Sequence, residues 1–225
     1  MNECLKLDND MRACRKCAPF FSQNPVDPRK CASAMVEPRA IVSGLRPRPV
    51  MLIGQAPGLT EYETGKPFQG SAGQGIREIF DAIGLQRARF DTLVYSSAVI
   101  KCFPGSKREL RSGNVREDVL PSAAMIDNCK PFFESQIRLA NPEVIVLLGK
   151  TPLSAYLKLT GRRASAARLE EFVGKTEEWN GRTVVFFPHT SGASRWLNSS
   201  VNRRLFDQAK AALRAELIER GITTP

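Results

Sequence analysis

Residues 49–73 decide the fold and read PVMLIGQAPGLTEYETGKPFQGSAG. The apolar run PVMLIG ends in glycine, which is typical of a buried parallel strand. A long loop rich in glycine and proline follows, and the segment GIREIFDAIGL shortly after it has helical spacing. A strand, a loop and a helix in this order predict the first unit of an α/β domain.

The same alternation continues toward the C-terminus. LVYSSAVI, EVIVLLG and RTVVFFP predict three further strands, and helical segments follow them. This rhythm predicts a parallel sheet with ligand sites at the carboxyl ends of its strands. Residues 1–48 are rich in Pro, Arg and Cys without clean periodicity, so we expect an irregular N-terminal arm that could contain one short helix.

The chain is strongly basic, with a formal net charge of +10 and a pI near 9.6. A positive balance of this size favours a polyanionic partner such as nucleic acid. The arginines are spread along the chain, which suits a binding face better than a basic tail. Those that suggest such a face are Arg108, Arg111, Arg116, Arg162, Arg163, Arg203 and Arg204.

The sequence contains no long uninterrupted apolar run, and its first residues lack the regions of a signal peptide. We therefore expect no membrane association and a cytoplasmic location. In that compartment a C-x-x-C pair indicates a metal or redox site before a disulfide. Cys14 and Cys17 form such a pair.

The loop between Gly54 and Gly73 fits neither of two common phosphate-binding patterns. Pro67 stands where a P-loop requires Ser or Thr, and the glycines do not fall as G-x-G-x-x-G. Glycines at these places let a backbone approach a flat ligand closely. Phe68 could stack on a base or plug the core beneath the loop, and the sequence leaves both readings open.

His189 is the only histidine, and it lies just after an apolar strand and Pro188. A single histidine is often structural, but a place at the carboxyl end of a strand favours a functional role. The hydroxyl residues of the same loop could donate to phosphate oxygens or simply form turns. These residues are Thr190, Ser191 and Ser194.

Four segments together resemble one family. GQAPGLTEYETGKPFQGSAG closely resembles the first motif of the family 4 uracil-DNA glycosylases. VIKCFPGSKREL resembles the segment around that family's third cysteine, and NCKPFFESQIRLANPEVIVLLGKT resembles the segment from its fourth cysteine into a central strand. FPHTSGASR resembles its histidine motif. The match runs from about Cys14 to the last helix, with gaps between the motifs.

This resemblance implies a three-layer α/β/α sandwich with a central four-stranded parallel sheet, in a single domain over residues 1–225. It also implies a [4Fe–4S] cluster on four cysteines, since thiolates ligate such clusters. From the residues alone, four thiolates are equally able to hold zinc. Cys4 and Cys31 match no ligand position and are expected to be free thiols. The expected ligands are Cys14, Cys17, Cys102 and Cys129, the first two in the N-terminal arm.

The chain departs from the family pattern at several positions. Gln55 replaces the first-motif glutamate, and Ala56 stands where family 1 enzymes place a water-activating aspartate. Ala98 falls where an asparagine usually reads uracil, and Thr190 replaces a proline. The usual wedge leucine is missing from SGASR. The sequence therefore looks like a divergent branch.

The resemblance also implies roles for individual residues. His189 would donate to uracil O2 as negative charge develops there, assisted by backbone N–H groups of the Gln55–Gly58 loop. Glu61 would position water or stabilise the cationic sugar, and Gln55 would orient water. Expected base-pocket residues are Ala56, Pro57, Gly58, Phe68, which stacks on the flipped base, and Ala98. Expected DNA contacts are Ser71, Thr190, Ser191, Ser194 and Arg195, the last also in place of the wedge.

The sequence thus predicts a monomeric enzyme that hydrolyses the N-glycosidic bond of uracil in single- or double-stranded DNA, leaving an abasic site. The loss of asparagine at Ala98 motivates an alternative substrate, such as hypoxanthine or xanthine. A non-catalytic DNA-lesion binder with the same fold is a second alternative. The basic charge and the placement of the cysteines argue against a generic α/β enzyme for small molecules.

Overall fold

The N-terminal arm is more ordered than its sequence predicts. The computed structural model describes residues 2–110, 112–113, 115–190 and 196–224. Within the arm, the Asn2 side chain accepts a hydrogen bond from the Cys4 N–H (2.9 Å) and caps the first helix, which buries Met11. The prediction of an irregular arm is wrong for residues 3–35, because capping and tertiary packing order them. Its elements are α1 (Glu3–Ala13), α2 (Ala18–Phe21), β1 (Pro25–Asp27) and β2 (Cys31–Met35).

Helices and strands then alternate to the end of the chain. Each of the four apolar segments identified in the sequence forms a strand. The elements are β3 (Val50–Gly54), α3 (Leu59–Thr64), α4 (Ser71–Ala82), α5 (Phe90–Leu93), β4 (Val94–Ala98), α6 (Ala123–Ala140), β5 (Val144–Leu148), α7 (Lys150–Leu159), α8 (Leu169–Phe172), β6 (Thr176–Trp179), β7 (Arg182–Phe187) and α9 (Ser200–Glu219).

The main sheet has the strand order β4-β3-β5-β7-β6. The first four of these strands are parallel, which confirms the expected four-stranded parallel sheet. A fifth strand, β6, pairs antiparallel with β7 at one edge. Asn180 and Gly181 connect β6 to β7, and both have positive φ (50° and 73°). Two left-handed residues of this kind form the tight turn that suits a two-residue hairpin.

Helices cover both faces of the sheet. In the sheet, β4 lies on one side of β3, and β5 and β7 lie on the other side. The connection from β3 to β4 therefore crosses the sheet in the opposite direction to the connections from β4 to β5 and from β5 to β7. Because such crossovers are right-handed, α4 lies on one face while α6 and α7 lie on the other. The result is the three-layer α/β/α arrangement.

The central strands are buried on both sides. Val50 to Ile53 in β3 and Val144 to Leu148 in β5 are at most 2% exposed, as continuous apolar runs in parallel strands require. Parallel strands end at the same edge, so Gly54, Ala98 and Leu148 lie close together there. In the part of the chain that the structure describes, no helix is long and apolar enough to cross a bilayer.

Candidate active site

A cavity of about 260 Å³ opens at the carboxyl ends of β3, β4, β5 and β7. Its wall combines the loop after β3, the end of β4 and the residues just after β7. It brings together residues that are far apart in the sequence. Of the residues predicted for catalysis, base binding and DNA binding, it is lined by Gln55, Ala56, Pro57, Gly58, Glu61, Phe68, Ser71, Ala98 and His189.

Glu61 ties the loop that forms one wall of this cavity. Its carboxylate Oε2 accepts a hydrogen bond from the backbone N–H of Gly58 (2.9 Å), the residue that precedes α3. Its Oε1 accepts from the N–H groups of Gln69 and Gly70, each at 2.8 Å. One side chain thus joins the start of α3 to the start of α4. The Gly58 N–H, expected to face the base, is bonded to Glu61 instead.

Gln55 is held by a residue that the sequence did not identify. Its Oε1 accepts a hydrogen bond from the Thr151 hydroxyl at 2.7 Å. Thr151 lies in the first turn of α7, directly after β5, so its place follows from the same strand-end rule. The segment LLGKT, which ends in Thr151, was the signal in the sequence that could have identified this residue.

Phe68 is half-buried and packs against the core, as the plug reading expects, and it also lines the cavity; its stacking on a base stays a prediction. Its backbone is left-handed, with φ 54°. A Cβ at Gly54 would lie 2.9 Å from the Phe68 ring, and a Cβ at Gly73 would lie 2.0 Å from its carbonyl oxygen. The absence of a side chain at both glycines is therefore what allows Phe68 to sit there.

His189 follows β7 and contributes its side chain to the cavity. Burial lowers the pKa of His189 below its ordinary value of 6.5, so the imidazole is neutral at pH 7. The next residue, Thr190, donates its hydroxyl hydrogen to the Ala72 carbonyl at 2.9 Å. That bond anchors the histidine loop to α4. Ser191, Ser194 and Arg195 lie outside the described residues.

The last residues of β4 also line the cavity. Ala98 is half-buried and pairs with Gly54 across the parallel ladder. The neighbouring Ser97 is buried, and its hydroxyl donates to Gln136 Oε1 at 2.9 Å. At position 98 the side chain is only a methyl group, so it offers no hydrogen bond to a ligand.

The cavity contains a second carboxylate, from Asp118, which the sequence did not single out. It forms an ion pair with Arg116, whose Nη1 also donates to the Ser106 hydroxyl at 2.8 Å. Burial raises the pKa of Asp118, against the opposing effect of Arg116, and the neighbouring Glu61 raises it further. No local pattern in the sequence marks this residue, since it lies far from the strand ends in chain order.

The cysteines predicted as ligands meet at a separate, small cavity. Cys14 and Cys17 follow α1, Cys102 follows β4, and Cys129 lies in α6. Burial raises the pKa of the Cys102 thiol to about 12 and also raises those of Cys17 and Cys129. None of the six cysteines, all of which lie in the described ranges, forms a disulfide.

The side chains at this cavity fit a thiolate-bound group by donor type. Four sulfur donors are the set that iron–sulfur clusters and structural zinc both use. No group of three or more His, Cys, Asp or Glu side chains within the described ranges is already arranged around one metal position. Iron or zinc would replace the thiol protons on binding.

Buried Lys101 connects the two cavities. It lines the cysteine cavity, and its ammonium donates to the Ser97 hydroxyl at 3.3 Å and to the Ala98 carbonyl. Burial lowers the pKa of Lys101 to about 8. The end of β4 is thereby linked to the cysteine-containing segment that follows it.

The fold and the cavity define an α/β protein whose ligand site lies at the carboxyl edge of a parallel sheet. A family model described as the uracil DNA glycosylase superfamily matches residues 44–214, which include that site. The chain belongs to the uracil-DNA glycosylase superfamily.

Individual relatives carry a more specific name. The chain is 33% identical over 126 residues to the Type-4 uracil-DNA glycosylase of Pyrobaculum aerophilum, and the alignment covers 56% of each protein. It is 28% identical over 220 residues to that of Saccharolobus solfataricus, covering 94% of this chain and 87% of the relative. It is 24% identical over 213 residues to that of Sulfurisphaera tokodaii, covering 93% and 83%.

Proposed function

We propose that this chain is a uracil-DNA glycosylase, which hydrolyses the bond between uracil and deoxyribose in DNA. The observation that supports this most directly is the cavity of about 260 Å³ at the sheet edge, which both Phe68 and His189 line. A base reaches such a cavity only by leaving the DNA stack. Three relatives with long alignments are named for this activity on uracil.

His189 stabilises the leaving group in this proposal. Excision breaks the C1′–N1 bond, and negative charge develops on the departing uracil. A neutral imidazole N–H that is oriented toward uracil O2 stabilises that charge without a full proton transfer. The lowered pKa of His189 keeps the ring in this neutral form at pH 7. Phe68 contributes the apolar surface on which the base stacks.

The loop after β3 completes the pocket. Gln55, fixed by Thr151, orients water, and the backbone of Ala56 and Pro57 borders the base. Glu61 acts here as a positioning residue, because both of its carboxylate oxygens accept hydrogen bonds from the loop. Its negative charge also lies beside the cavity, where it favours the cationic sugar.

DNA binding is proposed along the rim of the cavity. Ser71 is exposed at the first position of α4, where a phosphate oxygen would meet its hydroxyl and the backbone N–H groups of the first turn. Thr190 holds the histidine loop through Ala72. Ser191, Ser194 and Arg195 keep their predicted contacts with DNA, with Arg195 filling the gap left by the flipped base.

The four cysteines of the second cavity are proposed to hold a [4Fe–4S] cluster. A cluster held by thiolates from the N-terminal arm, the segment after β4 and α6 cross-links three separate parts of the fold. Such a group contributes stability here, and no step of excision involves it. The monomeric state, the abasic-site product and the cytoplasmic location stay predictions of the sequence.

The test uses the full-length protein and three matched oligonucleotides that carry uracil, hypoxanthine or thymine at one position. Excision is read as alkali-labile abasic sites, with enzyme in excess of DNA. Cleavage at uracil only, or at uracil fastest, supports the proposal. Cleavage at hypoxanthine alone supports the alternative that Ala98 motivates. Tight binding to uracil-containing DNA without cleavage of any substrate identifies a lesion-binding protein instead.

A further inference from the structure

Two carboxylates line the base cavity, Glu61 and Asp118. The lone pairs of Glu61 that face the loop are engaged by three backbone N–H groups. Three of its roughly four lone-pair sites are thus taken by the loop, so Glu61 has little acceptor capacity left for a water molecule. Gln55 is an amide and does not act as a base. Asp118 is therefore the remaining carboxylate in this wall for a proton-transfer role.

Asp118 is fixed in position by backbone pairing. Its segment pairs antiparallel with the residues that follow Cys102, through a bridge between Ser106 and Asp118. Hydrogen bonds on both sides hold the pairing: Lys107 N–H to the Glu117 carbonyl (2.9 Å) and Val119 N–H to the Gly105 carbonyl (2.8 Å). Its side chain is thus presented to the cavity by ordered backbone, as a catalytic group requires.

The carboxylate lies directly beside the loop after β3. A Cβ placed on Gly58 would lie 3.3 Å from Asp118 Oδ2 and 3.0 Å from Glu61 Oε2. The two carboxylates therefore flank the same glycine at the edge of the cavity. A water molecule in this corner would contact an acceptor on Asp118 and lie next to the space that the base and its sugar occupy.

We infer that Asp118 is the carboxylate that activates the attacking water in this chain. This inference rests on the proposed function. The Asp118 carboxylate accepts one proton from water as the water oxygen bonds to C1′. The C1′–N1 bond breaks, and its electron pair leaves with uracil. His189 stabilises the uracil anion until that anion takes a proton from solvent. Asp118 then releases its proton, so that one water is consumed for each base released.

The charged groups around Asp118 set its proton affinity. Arg116 faces it from its own segment and lowers its pKa, whereas Glu61 faces it from α3 and raises it. The Asp118 side chain is only partly buried, and this partial burial outweighs the arginine, so the pKa of Asp118 lies above the ordinary aspartate value of 3.8. A base with a pKa raised toward the working pH is more effective than one at its ordinary value. Excision should therefore decline in acid as Asp118 becomes protonated.

The experiment measures single-turnover excision of uracil with enzyme in excess, between pH 4 and pH 9. Asp118→Asn should lower the rate at neutral pH by about 10²-fold or more, the range for loss of a general base. It should also remove the acidic limb of the profile while DNA affinity and Tm stay near those of the parent protein. Glu117→Gln is the matched control, since that neighbour pairs with Lys107 at 2.8 Å and does not line the cavity.

Two further readings separate this role from a structural one. Asp118→Ala should regain excision when formate is added, because a small carboxylate can occupy the vacated space and accept the proton. The unmodified protein should show an acidic limb above pH 3.8, a result that needs no variant. An active parent protein without such a limb, or Asp118→Asn within about threefold of the parent, overturns the inference alone. A parent protein inactive on every substrate overturns the proposed function and this inference with it.

Discussion

Glu61→Gln tests whether this residue acts through the loop or directly on the chemistry. The substitution leaves the side chain with one oxygen in place of two. If that oxygen stays with Gln69 and Gly70, the new amide faces the Gly58 N–H, donor against donor. An unsatisfied, partly buried N–H costs about 1–3 kcal/mol. The two hydrogen bonds that the Gln69 and Gly70 N–H groups donate would have a neutral acceptor in place of a charged one, and each weakens by roughly 1 kcal/mol.

These contributions overlap and part of the loop is exposed, so a loss of about 2–3 kcal/mol in unfolding free energy is expected. For a chain of this size that lowers Tm by about 4–12 °C. Circular dichroism during thermal unfolding measures it. Glu63→Gln, on the same helix, is the control. Its pairing with Lys30 is an exposed ion pair worth about 0–1 kcal/mol.

The rate of excision completes the comparison. If Glu61 acts only by holding the loop, Glu61→Gln should lower the single-turnover rate by less than His189→Ala does. The loss of rate should then accompany the fall in Tm. A Tm within about 1 °C of the parent protein, combined with a rate reduced more than about 10²-fold, would refute the reasoning. That result would assign the charge of Glu61 to the sugar cation.

Three further predictions concern the histidine, the cysteines and DNA binding. His189→Ala should lower single-turnover excision by about 10²–10³-fold with little change in DNA affinity, and near-parental excision would exclude leaving-group stabilisation by this residue. Because burial lowers the pKa of His189, its neutral form should persist as pH falls through 6.5. The purified protein should be brown and contain iron and sulfide, and Cys102→Ala should lose both; a colourless protein with stoichiometric zinc would contradict the cluster. Affinity for duplex DNA, measured by fluorescence anisotropy, should fall steeply with salt because phosphate binding releases counterions, and a flat salt dependence would argue against phosphate contacts.

The four parallel strands could be predicted because burial on both faces requires a continuous apolar run, which is visible in one sequence. Strand β6 was missed, since Thr176–Trp179 is short and polar and gains its place only by pairing with β7. The Asn180-Gly181 pair was the signal that could have found it. Helix α1 was missed for a related reason. Its stability comes from packing and from the Asn2 cap, and its apolar residues are few.

The residues of the candidate site also divide into those that the sequence could place and those that it could not. His189, Gln55 and Phe68 could be placed because each belongs to a motif next to a strand end. Asp118 reaches the cavity through backbone pairing with residues near Ser106, and a single sequence contains no sign of that pairing. The hydrogen bonds of Glu61 were equally hidden, because they depend on how the loop folds back on itself.

The close packing of Phe68 against Gly54 and Gly73 limits how this pocket can change during evolution. Gly54 and Gly73 admit no side chain, so drift at either position would displace the aromatic ring or the loop. Ala98, in contrast, carries a small side chain on a strand end whose backbone is held by the sheet and by Lys101. A single substitution there can give the cavity a new hydrogen-bonding group while the frame stays intact. Under the proposed function, the range of bases accepted is therefore adjustable at Ala98, whereas the positions of Phe68 and of its loop are not.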